Sequence, residues 1–218
     1  MSDLRQRKFA RTRLALAESL ATALAQQSLS DVSVKALCRE AEVSEATFFN
    51  YFPRKRDLMA YLAQLWLLEL GWYLHTASSQ GQGLNVIDKL FSQTAQSCVQ
   101  APGVFRELLV WLARGGKLDQ SVELSAVEKQ LAFPQLEGIG NIPVKGIDAW
   151  LVPQLELAIA EGHLPSNTLL PTLLSSLLAI LLGVPLTLLD NGPEKVAGMY
   201  RRQLTLLWSG ARAAAQGR

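Results

Sequence analysis

The chain has 218 residues, 49% of them apolar and 18% charged, with a formal net charge of +2. It is long enough for one or two domains with a sizeable core, and too apolar to be a disordered chain. Cys38 and Cys98 are the only cysteines and read as core thiols in a reducing cytoplasm, and His75 and His163 lie too far apart for a histidine pair at metal-binding spacing.

The charge is unevenly placed. Residues 4–13 hold Arg5, Arg7, Lys8, Arg11 and Arg13 with no acid. Residues 1–60 carry ten basic and seven acidic side chains, and the remainder eleven basic and twelve acidic. A basic excess at one end suits a nucleic-acid-binding head on a near-neutral body. The N-terminus has charge but no apolar core segment, so it does not read as a signal peptide.

Residues 4–27 are predicted as one helix, with Leu16, Leu20 and Leu24 as its buried stripe. Arg5 and Lys8, in its basic first turns, are candidates to reach a phosphate backbone or a minor groove. Ser33 is placed to cap a second helix through Val34, Leu37, Cys38 and Ala41. Glu42, Val43 and Ser44 then form a tight turn, and Ser44 caps a short third helix. Phe48 and Phe52 are four apart and share the face to be buried. Glu45, Ala46, Phe49 and Asn50 point the other way, an aromatic and an amide left facing something outside. Pro53 ends this helix. Arg54, Lys55 and Arg56 follow where the next helix begins, against its dipole by ~0.3–1 kcal/mol each. A phosphate docked on those cations and the free amides would remove that cost. Two short helices joined by a three- or four-residue turn form a helix-turn-helix unit, whose second helix lies in the major groove.

The rest of the chain reads as helices. A long one runs from Asp57 to about Thr76, followed by a Ser/Gly turn over residues 78–83. Others cover 85–100, 104–114 after a Pro102-Gly103 break, and 121–133. Gly138, Gly140, Pro143 and Gly146 make a loop of a length that is usually functional or disordered, with bordering a pocket or padding an interface as its candidate roles. A helix over 147–161 is bent by Pro153 and ended by Gly162. Residues 168–189 carry no charge and are long enough to cross a membrane. Pro171, Pro185, Ser175 and Ser176 lie within that run and no basic cluster flanks it, so a helix at a subunit interface fits it better. The last helix covers 194–214. No nucleophile elbow, phosphate-cradling glycine loop or metal cluster occurs, so neither an enzyme nor a cofactor or metal is expected.

Residues 29–58, LSDVSVKALCREAEVSEATFFNYFPRKRDL, resemble the DNA-binding signature of the tetracycline-repressor (TetR) family, A-x-V-S-x-x-T-hydrophobic-aromatic-x-Y-F-x-x-K. The matches are Ala41, Val43, Ser44, Thr47, Phe48, Phe49, Tyr51, Phe52 and Lys55. The resemblance implies that Thr47, Tyr51 and Lys55 touch phosphates and that Glu45, Ala46 and Asn50 face base edges. There are two departures. Glu42 stands where the family usually has glycine, at roughly 1 kcal/mol if that residue is left-handed. Phe49 often corresponds to tyrosine, so only an apolar contact, such as one with a thymine methyl, remains there.

The resemblance further implies an all-α chain. Residues 1–56 would be a three-helix, helix-turn-helix DNA-binding domain, and 57–218 a larger helical effector-binding and dimerisation domain. It implies a cytoplasmic homodimer joined through the last two helices, a repressor released from a palindromic double-stranded operator by a small molecule. Trp66, Trp72, Tyr73, Phe105, Trp111 and Trp150 supply the apolar surface that would suit a mostly apolar effector. Two alternatives stay open: a DNA-binding dimer with no small-molecule effector, and a membrane-associated helical protein built around 168–189.

Overall fold

The structure is a computed structural model that describes residues 3–79, 81–117 and 123–216. Among these it is helical without strands. The α-helices are α1 (Asp3–Leu24), α2 (Val34–Glu40), α3 (Glu45–Tyr51), α4 (Lys55–Ser78), α5 (Leu84–Gln100), α6 (Pro102–Ala113), α7 (Ala126–Ala132), α8 (Ile147–Ala160), α9 (Leu170–Leu188) and α10 (Val196–Gln216). Short 3-10 turns cover Ile139–Asn141 and Pro193–Lys195. The chain packs as two compact units: Met1–Trp72 with Gly103–Val144, and Tyr73–Pro102 with Lys145–Arg218. This division is one of packing, and differs in kind from the division by role expected at residue 56.

In the first unit, Leu16, Leu20 and Leu24 of α1 are buried as their spacing predicts. The helix stops at Leu24, short of the expected residue 27, because the next amides turn back onto the carbonyls of Thr22 and Ala23. Gly103 explains what meets that end: a Cβ there would lie 2.0 Å from the Leu24 carbonyl oxygen. Pro102 opens α6 rather than merely breaking the chain, since the first helical position needs no N–H. The helix predicted over 121–133 is shorter: α7 begins at Ala126, with the Ser125 hydroxyl accepting from the Glu128 amide at 3.2 Å, and residues 121–122 lie outside the described residues. α7 packs on α1. The loop after it is tied down too. Lys129 Nζ donates to the Ile142 carbonyl at 2.6 Å, and Trp72 Nε1 donates to that of Glu137 at 2.7 Å.

The second unit is built from α5, α8, α9 and α10 with the end of α4. α5 buries Ile87, Leu90, Phe91, Thr94 and Cys98 on the stripe read from the sequence. Pro185 sits inside α9 and has no N–H for the carbonyl four residues back, Leu181. That carbonyl is not left bare: the buried Tyr200 hydroxyl of α10 donates to it at 2.6 Å. α9 is apolar on every side yet buries one stripe, Leu173, Leu177, Leu181, Val184 and Pro185. Leu169 and Leu186 are 59% and 71% exposed, and Leu206 of α10 is 67% exposed. Among the described helices, α9 alone is long and apolar enough to span a bilayer by length and composition.

Candidate nucleic-acid interface

The head is made by local chemistry at each joint. The Ser33 hydroxyl accepts from the Ala36 amide at 3.4 Å and that of Ser44 from the Thr47 amide at 3.0 Å, so both predicted caps are in place. Between them, α2 ends with two reverse bonds: the Val43 amide to the Cys38 carbonyl at 2.9 Å and the Glu42 amide to the Arg39 carbonyl at 3.3 Å. This paired closure requires a left-handed residue just past the cap. Glu42 supplies it with φ 53°, the one non-glycine residue with positive φ among the described residues. The expected strain at the glycine position is therefore present.

Phe48 and Phe52 are buried, whereas Glu45, Ala46, Phe49 and Asn50 are exposed. Phe49, 49% exposed, leans edge-on against Phe48 with centroids 5.2 Å apart. α3 thus presents to solvent the face its spacing assigned to the outside. Ser44 and Thr47 also join their hydroxyls at 2.9 Å. Tyr51 packs on Phe9 of α1, ring centroids 4.8 Å apart, which brings α1 alongside α3. The two helices enclose a groove of about 690 Å³ lined by Arg5, Lys8, Phe9 and Thr12 on one side and by Ser44, Thr47, Asn50 and Tyr51 on the other, with Glu42 and Val43 between. Arg5 and Lys8, nominated on charge alone, therefore share one concave site with the helix nominated on pattern. Phe9 and Thr12 were missed. Their signal was available, since Arg5, Lys8, Phe9 and Thr12 recur at helical spacing on one face.

Lys55 and Arg54 also have partners inside the chain. The three cations at the start of α4 are not all left for an outside phosphate. Arg54 grips Asp57 through Nε at 3.1 Å and Nη2 at 2.9 Å. Lys55 Nζ donates to the carbonyls of Ser30 at 3.0 Å and Val32 at 2.6 Å, pinning the loop before α2. An ammonium has three donors, so one is left over for a phosphate.

The aromatic residues nominated as effector lining are dealt with locally. Trp66 and Phe105 meet edge to face at 5.2 Å. Trp72 is bound to the Glu137 carbonyl. Trp111 lies under Gly116, where a Cβ would come within 2.3 Å of the indole. In the second unit, Lys89 sits 5.4 Å from the Tyr73 ring and Lys145 sits 5.3 Å from the Trp150 ring.

A helix-turn-helix of this geometry, with an exposed recognition face beside basic side chains, defines a DNA-binding head carried on a helical chain. Residues 18–62 match the family model described as bacterial regulatory proteins, tetR family. The fold as a whole is similar to two solved structures. One is a TetR-family transcription regulator from Shewanella sp. PV-4, at 18% identity over 91% of this chain and 97% of that one, with TM-score 0.58. The other is Thermus thermophilus FadR, a TetR-family transcriptional repressor in complex with lauroyl-CoA, at 18% identity over 89% and 92%, with TM-score 0.62. A sequence comparison with curated proteins returned no match. Residues 18–62 thus carry a tetR-family DNA-binding head, and the fold of the chain is similar to that of solved TetR-family regulators.

Proposed function

We propose that the protein is a homodimeric repressor that reads a palindromic operator and leaves it when a mostly apolar small molecule binds. The observation that carries the DNA reading is the groove shared by Arg5 and Lys8 with Ser44, Thr47, Asn50 and Tyr51. In this reading residues 1–56 are the DNA-binding domain and 57–218 bind effector and partner. Glu45, Ala46 and Asn50 face base edges, with Phe49 beside them as an apolar contact. Asn50 suits an adenine and Glu45 a cytosine amino group. Thr47, Tyr51, Arg5, Lys8 and the remaining donor of Lys55 hold phosphates, which fix register without reading sequence.

The dimer rests on α9 and α10. Their outer sides form an apolar groove of about 410 Å³ lined by Leu169, Thr172, Leu173 and Ser176 with Leu206, Leu207, Gly210 and Ala211. A second copy laid on that face would cover Leu169 and Leu206 and complete a four-helix packing. The same cover makes a membrane unnecessary for α9 and fits a cytoplasmic protein. A twofold dimer sets its two recognition helices ~34 Å apart, or a related spacing, hence the palindrome. An effector then opposes DNA by favouring a different head separation, typically by ~1–3 kcal/mol. The FadR structure holds lauroyl-CoA, a ligand with a long apolar chain. Its acyl chain supports an effector with an apolar part for a chain of the same fold, although its CoA part is charged.

A second reading, a DNA-binding dimer with no small-molecule effector, is favoured by the local partners of Trp72 and Trp111. One experiment addresses the main reading. Purified protein is used at a stated moderate salt to select fragments from its own genome. A short palindrome near one promoter is the expected outcome, and that duplex then serves to screen for molecules that release it. A clean detergent-free dimer that selects nothing above background would refute the operator reading.

A further inference from the structure

Arg13 is a buried cation inside the head, 5% exposed, and its counter-charge comes from outside residues 1–56. Its Nη1 lies 3.3 Å from the carboxylate of Glu128 on α7, itself 1% exposed. The Tyr61 hydroxyl of α4 also donates to that carboxylate, to Oε1 at 2.6 Å. Arg13 Nε has no acceptor among the described residues. The guanidinium is enclosed by rings, at 4.3 Å from the centroid of Tyr61, 5.3 Å from Phe9 and 5.7 Å from Phe52. Two of those rings belong to the DNA-reading apparatus. Phe9 lines the groove and carries Tyr51, and Phe52 is the residue on which α3 ends.

We infer that Arg13, Tyr61 and Glu128 are positioning residues for the recognition helix, and that α7 is the segment beyond the head that sets its seat. The physical reason is the price of separation. A guanidinium in an apolar cage is tolerated only while its partner stays, so α7 cannot leave α1 without stranding a buried charge. Any shift of Glu128 moves Arg13, and Arg13 moves the two rings that hold the groove wall and the end of α3. The polar trio thereby fixes one arrangement where apolar side chains of the same size would allow several.

The inference deepens the DNA reading and rests on it for its binding arm alone. The test uses the full-length chain with all three polar groups replaced together, Arg13→Met, Tyr61→Phe and Glu128→Leu, so that no charge is stranded. Thermal unfolding reports stability, and amide hydrogen exchange over Glu45–Tyr51 reports the seat of α3 in free protein. Binding at one salt concentration compares the selected operator with random duplex. The expected triple variant unfolds at or above the native temperature. Its α3 amides nonetheless exchange at least tenfold faster, and its preference for operator over random duplex falls at least tenfold. Affinity for random duplex changes less than threefold, because the phosphate-holding side chains are untouched. A triple variant with native exchange and native preference overturns the inference and leaves the trio as packing. Should it fail to fold, Tyr61→Phe alone is read the same way, with a smaller acceleration expected and unchanged exchange overturning it. If the native protein selects no operator, the DNA reading fails by itself, and the exchange measurement still decides this inference.

Discussion

Glu42→Gly should make the head more stable, and the reason is confined to one backbone angle. Glu42 holds φ 53° because the closure of α2 onto the turn demands a left-handed residue there. An L-residue so held is disfavoured by roughly 1–2 kcal/mol. Glycine removes that strain but loses about 0.5–1 kcal/mol through the greater freedom of its unfolded chain. The balance is a gain of about 0.7 kcal/mol, or about 2 °C in melting temperature for a chain of this length. The side chain is exposed, so little packing is lost with it. Glu42→Ala is the control, since alanine drops the carboxylate and keeps the strain. Calorimetry at one pH and salt concentration would rank the two. A glycine variant that melts at or below the alanine variant would refute the strain argument. DNA binding separates a second effect. Glu42 lines the groove, so both variants remove a negative charge from beside the phosphates and should gain equally on random duplex. A gain limited to the glycine variant would mean that the conformation of the turn, not its charge, is what the DNA meets.

Four further outcomes are expected. Asn50→Ala should change which operator is preferred, whereas Tyr51→Ala should weaken all duplexes about equally; identical selections from native and Asn50→Ala protein would place the base-reading side elsewhere. Lys55→Met should lower stability as well as DNA affinity, by about 1.5–3 kcal/mol for charged bonds to the Ser30 and Val32 carbonyls, read by urea unfolding without DNA. Tyr200→Phe should cost about 1–3 kcal/mol by leaving the Leu181 carbonyl unpaired, and less when Pro185→Ala restores the missing N–H, so a double-mutant cycle with no coupling would sink this account of the proline site. Burial pushes the Cys98 thiol up to about 12 from 9.0, so stability is full below pH 9 and falls as pH rises toward 12. Tyr61 and Tyr200, raised chiefly by burial, act in the same direction, so Cys98→Ala should flatten the alkaline slope without abolishing it.

What could be read in the sequence is what local chemistry encodes. Ser33 and Ser44 each cap the helix that starts immediately after them, and the Phe48–Phe52 pair faces inward because helical spacing leaves no other choice. Even the strain at Glu42 was visible as a residue out of place in a turn that wants glycine. Contacts between distant segments have no such signature. Arg13 finds Glu128 across 115 residues, and no period or spacing links the two. Likewise, the bonds from Lys55 to the Ser30 and Val32 carbonyls cannot be foreseen from a charge run, whereas the i,i+3 spacing of Arg54 and Asp57 did carry their pairing. Aromatic content was equally mute on position: Trp72 and Trp111 are as apolar in a lining as in a core, and it takes the Glu137 carbonyl and Gly116 to show what occupies them.

The ambiguity of α9 shows the same limit and how geometry reduces it. Length and apolar content alone do not separate a membrane span from an interface helix, since both need about twenty apolar residues; the prolines, the serines and the lack of flanking basic residues already favoured the interface. In the structure the helix is committed on one side. Its Leu173–Leu177–Leu181 stripe is buried, and its proline-freed carbonyl takes a bond from the phenol of α10. A lone span in lipid has no reason to carry a polar bond from a neighbouring helix at its proline-freed carbonyl. A helix built into a protein core has that reason, because an unpaired buried carbonyl costs about 1–3 kcal/mol. The sides left uncovered include Leu169, which with Leu173 runs on to Leu206 and Leu207 of α10 as one apolar groove. A bilayer would have to cover both helices at once, and α10 carries Arg201, Arg202 and Arg212 along its length. A second copy of the chain asks for no such burial of charge, which favours the proposed dimer over a bilayer as what covers these two helices.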